Sequence, residues 1–223
     1  MDSNKSCTFI ESRTKYKGNF LSFMESDFEV TDKEKKSKIT WEYVQYNHNL
    51  SSNIKFGVTI IPIIKKSNKI VIISNYRYAV KKFCLEFPSG LIEQKDENNN
   101  KDIDTIIKNT AKRELKEETG YDGEFLSYMT LPNINNSIKV MSNVYYDPWK
   151  SNDCSAFCIF DLKEKEQQSL DNCEIIKVFE VDIDNLLDFI TEKIKTNQFA
   201  CSADLYSFAF GLKFKSVLDK YNI

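Results

Sequence analysis

Three glutamates stand close together in Arg113-Glu114-Leu115-Lys116-Glu117-Glu118-Thr119-Gly120-Tyr121. On a helix Glu114 and Glu118 are i,i+4 neighbours and Glu117 is i,i+3 from Glu114, so all three carboxylates share one broad face. Like charges at that spacing cost a helix a few tenths of a kcal/mol per pair, a penalty that a divalent cation would remove. Oxygen donors without imidazole or thiolate suit Mg²⁺ or Mn²⁺. The same charges also fit a solvated acidic face balanced by Arg113 and Lys116. His48, in YNHNLSSN, is the chain's one histidine, which sets aside Ser-His-Asp and Cys-His mechanisms. Chemistry falls to carboxylates, lysines, hydroxyls or a hard metal.

The elements that must hold these groups are readable. A helix is expected from Ile103, capped by Asp102 or Asp104, with Ile103, Ile107, Ala111 and Leu115 recurring along one face and Gly120 at its left-handed end. Upstream, GVTIIPII and KIVIISNY read as a hairpin, and KFCLEF as a short strand ending at Pro88-Ser89-Gly90. The segment QKDENNNKDID, residues 94–104, has almost nothing to bury and reads as an exposed insert. Downstream, FLSYMTL, SIKVMSNVYY, CSAFCIFDL and IIKVFEV are strand candidates. DNLLDFITEKIKT and SADLYSFAFGLKFKSVLDKY then show helical spacing, with Leu205, Phe208, Ala209 and Leu212 on one face. Before all of these, residues 1–53 carry FLSFMES, FEV and ITWEYV around the charged TDKEKKSK, a β arm or meander. The expected fold is α/β: residues 54–223 form a mixed β-sheet between helices, and the arm precedes it.

Composition narrows the partners. The 223 residues hold 31 Lys+Arg against 33 Asp+Glu, a net charge of −2, which argues against a dedicated nucleic-acid surface. No apolar run reaches membrane-spanning length and MDSNKSCTFIESRTKYKG lacks a secretory stretch, so the expectation is a cytoplasmic protein, with the nucleus also open. Six cysteines without a CxxC pair read as free thiols packed as small apolar groups.

Arg-Glu-apolar-x-Glu-Glu-x-Gly-apolar, preceded by Gly90 after a strand, resembles the signature of the Nudix hydrolases, with Leu115 and Tyr121 in the bulky apolar places. Glu86-Phe87-Pro88-Ser89-Gly90-Leu91-Ile92-Glu93 is similar to the EFPAGLID-type entry of the ADP-ribose pyrophosphatase branch. Thr40-Trp41-Glu42, Asn75-Tyr76-Arg77, Tyr145-Tyr146-Asp147-Pro148 and Ala203-Asp204-Leu205-Tyr206-Ser207 follow that branch in order, from about Phe20 to Lys215.

The resemblance implies a Nudix fold and Mg²⁺-dependent hydrolysis of ADP-ribose to AMP and ribose 5-phosphate, with Mn²⁺ a possible substitute. Another nucleoside diphosphate derivative as substrate, or a nucleotide-binding sensor without turnover, are the alternatives. It implies Glu114 and Glu118 as metal ligands with the Ser89 carbonyl, Glu117 as a ligand or outer contact, and Arg113 as the group orienting Glu117. Glu174 is implied as general base, with Glu166 and Glu164 as fallbacks. For substrate it implies Phe20 and Trp41 stacking on a purine, with Glu42, Arg77, Leu91 and Asp147 also in contact; plain core packing for Phe20 and a strand-edge salt bridge for Arg77 are the alternatives. In the branch the arm crosses to a second copy, so a homodimer is implied. The chain departs from the pattern in places. Arg113 lies twenty-three residues after Gly90, nine more than in the family. That leaves open whether Asp96 or Glu97 takes the place of the motif's first Glu. Tyr46 and Trp149 stand where the branch carries Arg and Gly.

Overall fold

The computed structural model describes residues 5–33, 35–47, 57–97, 102–128, 144–172 and 174–221, without the side chains of Gln94 and Glu97. His48 and most of SIKVMSNVYY lie outside them. The chain divides into two compact units, Met1–Lys55 with Asn143–Ser155, and Phe56–Ser142 with Ala156–Ile223.

The first unit is a three-stranded antiparallel meander: β1 (Lys5–Lys17), β2 (Leu21–Asp32) and β3 (Lys35–Tyr46). FLSFMES and FEV, separate pieces in the sequence, run together in one strand, β2, which ends at Asp32 just before Lys33 at positive φ (58°). β1 had no apolar run to mark it. All its residues are exposed, and it is held by register and cross-strand pairs such as Phe9–Phe28, ring centroids 5.8 Å apart. Residues 144–155 join this unit through a bridge from Val44 to Ser151, and a bridge from Tyr145 to Cys154 closes the segment on itself.

The second unit is built on a mixed sheet. Its strands are β4 (Gly57–Ile64), β5 (Lys69–Arg77), β6 (Lys82–Glu86), β7 (Ser89–Leu91), β8 (Tyr121–Tyr128), β9 (Ser155–Lys165), β10 (Ile176–Asp182) and β11 (Phe199–Cys201). The order is β11-β6-β5-β4-β9-β8, with β10 on β5 and β7 on β4. β10 runs antiparallel along Lys69–Asn75 of β5, while β4 pairs with the start of β5 and β6 with its end. β11 adds parallel to β6. The helices are α1 (Gln94–Glu97), α2 (Ile103–Thr119), α3 (Leu186–Lys195) and α4 (Ala203–Tyr221).

Ile70, Val71, Ile72 and Ile73 of β5 are all fully buried. Successive residues of a strand point to opposite faces, so both faces of the sheet are covered. Ile70 and Ile72 share a core with Leu85, Phe87, Leu186, Ile190, Leu205 and Ala209, which puts α3 and α4 on that face. Among the described residues no helix is long and apolar enough to cross a membrane.

Two expectations change. The segment 94–104 is not wholly exposed: Gln94–Glu97 forms a helical turn and Asp96 is buried. Nor are all the cysteines packed away, since Cys7 is exposed; Cys84, Cys154 and Cys158 are buried and Cys201 is half-buried.

Candidate active site

The acidic helix is anchored at both ends by its own sequence. Asp102 caps α2 by accepting from the Thr105 amide at 3.2 Å. Ile106, Ile107, Ala111 and Leu115 bury its apolar side. Gly120 ends it in the left-handed region (φ 75°), and a Cβ there would lie 2.3 Å from the Glu166 carbonyl oxygen. That close approach has a purpose. The segment after β9 satisfies helix-end carbonyls that would otherwise lack partners, with the Glu166 amide donating to Gly120 at 2.7 Å and the Ser169 amide to Glu117 at 3.0 Å.

Arg113 organises the face that α2 turns toward β7. Its guanidinium takes both oxygens of Asp96 (Nε and Nη2, 2.8 Å each), donates through Nη1 to Glu114 (2.7 Å) and Glu117 (2.8 Å), and reaches the Leu91 carbonyl at 3.2 Å. Burial alone would raise the Asp96 carboxyl, but Arg113 and the Glu93 amide hold it below its usual value. The residue six after Gly90 therefore pairs with Arg113, and the additional residues enter the chain after it. Only the spacing from Gly90 hinted at this, and a count back from Arg113 misses it.

Glu114 and Glu118 sit deeper. Glu118 is 3% exposed and accepts from the Ser89 amide at 2.8 Å. Glu114 lies against Gly90 so closely that a Cβ on that glycine would fall 2.0 Å from its carboxyl carbon, so any side chain there would force the Glu114 carboxylate to move. Burial pushes Glu114 up to about 7, against the pull of Arg113 and with help from the Glu117 and Glu174 charges. Burial also pushes Glu118 well above the usual carboxylate range; the Ser89 amide opposes this, while Glu114 and Glu174 add to it. Glu174, on the loop before β10, is thus electrostatically coupled to both helix carboxylates. Its own oxygen accepts from the Asp171 amide at 3.0 Å. Glu166 pairs with Lys116 at 3.0 Å and is largely exposed, as is Glu164.

Arg77 forks onto Glu86, with Nε 2.9 Å and Nη2 2.6 Å from its oxygens. Nothing in the sequence ranked Glu86 as that partner: the register from Ile73↔Glu86 to Arg77↔Lys82 sets the two at opposite ends of the β5–β6 ladder, and the long arginine side chain spans the distance. In the first unit, Phe20 is 79% exposed and Trp41 about half exposed. The Trp41 indole donates to the Trp149 carbonyl at 2.9 Å, and Asp147 pairs with Lys150 at 2.5 Å. Trp41, Tyr43, Tyr145, Pro148, Ser151 and Asn152 line a cleft of about 260 Å³. Glu42 is exposed on β3, opposite Glu25 of β2.

Among the described residues no three His, Cys, Asp or Glu side chains already converge on one point. Mg²⁺ does not need such a cage. It keeps several waters and takes one or two carboxylates, with substrate phosphates completing the shell. Two buried and incompletely neutralised glutamates beside the Ser89 backbone, all hard oxygen donors, fit that requirement.

No protein-family model matches the chain. A putative Nudix hydrolase of Caenorhabditis elegans is 27% identical over 186 residues, covering 79% of this chain and 74% of the relative. The ADP-ribose pyrophosphatase of Saccharomyces cerevisiae is 31% identical over 152 residues, covering 64% of this chain and 55% of that one. A crystal structure of an ADP compounds hydrolase superposes with a TM-score of 0.61 at 18% identity, covering 99% of this chain and 98% of its own. The chain is thus similar in sequence to Nudix hydrolases and shares its fold with an ADP compounds hydrolase.

Proposed function

We propose that this protein hydrolyses the pyrophosphate bond of ADP-ribose, or of a related ADP-sugar, to AMP and a sugar phosphate, using Mg²⁺. The observation that carries the reading is the pair of buried glutamates, Glu114 and Glu118, set against Ser89 and Gly90 with more negative charge than Arg113 neutralises. The similarity to an ADP-ribose pyrophosphatase supports the substrate class.

Glu114, Glu118 and the Ser89 carbonyl would hold the metal, with Glu117 as a further ligand or an outer contact. When bound, Mg²⁺ offsets charge on the diphosphate and lowers the cost of forming hydroxide from water. Arg113 fixes the Glu114 and Glu117 carboxylates by direct hydrogen bonds, which removes their rotamer freedom before substrate arrives. Glu174 takes the proton from the attacking water. The water oxygen forms a new P–O bond as the bridging P–O bond breaks, and the bridging oxygen leaves with the other phosphate. Because Glu174 lies on a loop apart from α2, it can approach the water from another side than the metal ligands.

Phe20 and Trp41 stack on the purine, with Glu42, Leu91 and Asp147 completing the substrate contacts. Arg77, aligned by Glu86, meets a phosphate or the terminal ribose. The arm of residues 1–53 reaches a second copy, making a homodimer that acts in the cytoplasm. Trp149, whose carbonyl engages Trp41, favours one further reading: a purine pocket reshaped for another nucleoside diphosphate derivative.

Purified protein with Mg²⁺ should release AMP and ribose 5-phosphate from ADP-ribose. Glu174→Gln should lower kcat by about 10²–10⁴-fold and flatten the acid limb of the pH–rate profile, as loss of a general base does. Tight ADP-ribose binding without product at saturating Mg²⁺ and Mn²⁺ would replace the hydrolase with a nucleotide sensor.

A further inference from the structure

The C-terminal helix α4 is apolar on two opposite sides. Leu205, Phe208, Ala209 and Leu212 face the core, with Phe208 packed edge-on against Phe87 at 5.4 Å. At helical spacing Tyr206, Phe210, Phe214, Val217 and Tyr221 form a second stripe, turned away from that core, and they are 44%, 51%, 51%, 42% and 62% exposed. The Phe210 and Phe214 rings stack, centroids 6.1 Å apart and planes within 10°. A helix apolar all round is normally buried all round. After Leu212 the helix runs on to Tyr221 with only Leu218 half-buried, and Lys213, 3.4 Å from Asp188, ties it to α3. So short an unpacked stretch is marginal as a helix in water.

Gly211 adds an independent sign. A glycine inside a helix costs roughly 1 kcal/mol relative to alanine. A Cβ at Gly211 would meet nothing within 4 Å, so the chain's own packing does not require it. Four residues after Ser207 and three before Phe214, it lies on the flank of the exposed stripe, where a bare backbone lets another helix come close.

The stripe is also self-complementary. About a two-fold axis between Lys213 and Phe214, an antiparallel copy sets Tyr206 opposite Tyr221, Phe210 opposite Val217, and the Lys213 ammonium over the Phe214 ring. The same pairing brings Asp204, in the first turn, near Lys220, in the last, and opposes the two helix dipoles. Half-exposed aromatics of about 150–250 Å² each give roughly 400–500 Å² per copy, so two copies approach the ~1,000 Å² that marks a specific interface.

We propose that α4 is a self-association surface on which a second copy of this chain docks antiparallel, independently of the β arm. The test uses the full chain with its arm intact. Sedimentation equilibrium should show self-association that Phe210→Glu/Phe214→Glu weakens about 30-fold or more, as loss of two central aromatic anchors does. Both side chains are half exposed, so the fold should survive, which circular dichroism checks. In a mixture of ¹⁴N and ¹⁵N copies, p-benzoylphenylalanine in place of Phe214 should give mixed-isotope cross-links within residues 206–221. An unchanged mass in the double variant, or cross-links that fall on the arm or elsewhere, would overturn the proposal. Turnover is not a readout, so either result leaves the hydrolase reading where it stands.

Discussion

Arg13 in the arm and Arg113 on α2 each face several carboxylates, yet Asp27 beside the first is lowered while Glu114 beside the second is raised. In the arm, Arg13 meets Asp27 at 2.7 Å and Glu25, while Lys38 reaches Asp27 at 2.9 Å and Lys15 reaches Glu25 at 3.4 Å. Cations match anions there, and hydrogen bonds from Arg13, Thr40 and Lys38 pull Asp27 well below its usual value. Around Arg113 the anions win. Asp96 takes the fork of the guanidinium, Glu114 and Glu117 share its Nη1, and Glu118 has a backbone amide in place of a cation. Glu114 and Glu118 consequently rise. A balanced network serves the fold. One left short of positive charge is ready to bind it, and this separates the two networks better than a count of acidic residues does.

The most severe way to break the contrast is Glu118→Gln. It keeps the Ser89 contact and removes the charge, so the fold should hold while ADP-ribose turnover falls by about 10²–10³-fold, the scale of losing one main electrostatic contributor. A second readout follows from binding linkage. Mg²⁺ at about 100 times its dissociation constant should stabilise the wild-type chain by about 2.7 kcal/mol, and the rise in Tm should shrink sharply in the variant. An Mg²⁺-induced rise that is equal in both proteins would move the cation away from this helix.

Asp96→Asn is the sharper and smaller test. It removes the charge that anchors Arg113 while leaving Glu114, Glu117 and Glu118 in place. Arg113 is then free to follow Glu114 and Glu117 outward, so turnover should fall about 10–100-fold, the usual cost of loosening groups that orient metal ligands. Full activity in Asp96→Asn would mean that Arg113 needs no second anchor.

How much of this could be read in the sequence depends on whether a local pattern carried the information. Helix α2 announced itself through Asp102, the apolar repeat and Gly120, and it runs from Ile103 to Thr119 as expected. Gly90 was visible as part of a motif, but its physical reason, the Glu114 carboxyl lying where a Cβ would be, exists only once β7 and α2 are packed. Asp96 was obscured by the asparagine-rich residues after it, whose composition made the whole stretch look solvated. The Arg77–Glu86 pair depends on the β5–β6 register, and a run of apolar residues does not fix register across a hairpin. β1 was hidden for a related reason: a strand exposed along its whole length needs no apolar alternation.

The smallest expected effect tests the arm network, and the chain supplies its own probe for it. Both tryptophans, Trp41 and Trp149, belong to the first unit, so tryptophan fluorescence reports on that unit alone. Asp27 has a folded value depressed below the ordinary 3.8. Its contribution to stability is therefore complete above that value and is lost as pH falls through the range beneath it, where the unfolded chain binds the proton first. The urea midpoint followed by tryptophan emission should thus drop from about pH 4 to about pH 2 in the wild type. In Asp27→Asn the midpoint should be lower at pH 7 and nearly flat over the same acid range. Arg13 and Lys38 are substantially exposed, which screens their attraction and keeps the difference modest. If the two proteins show the same acid slope, Asp27 is not the group that ties the arm's stability to pH, and the balance of charge around Arg13 is decoration on a sheet held by its backbone ladder.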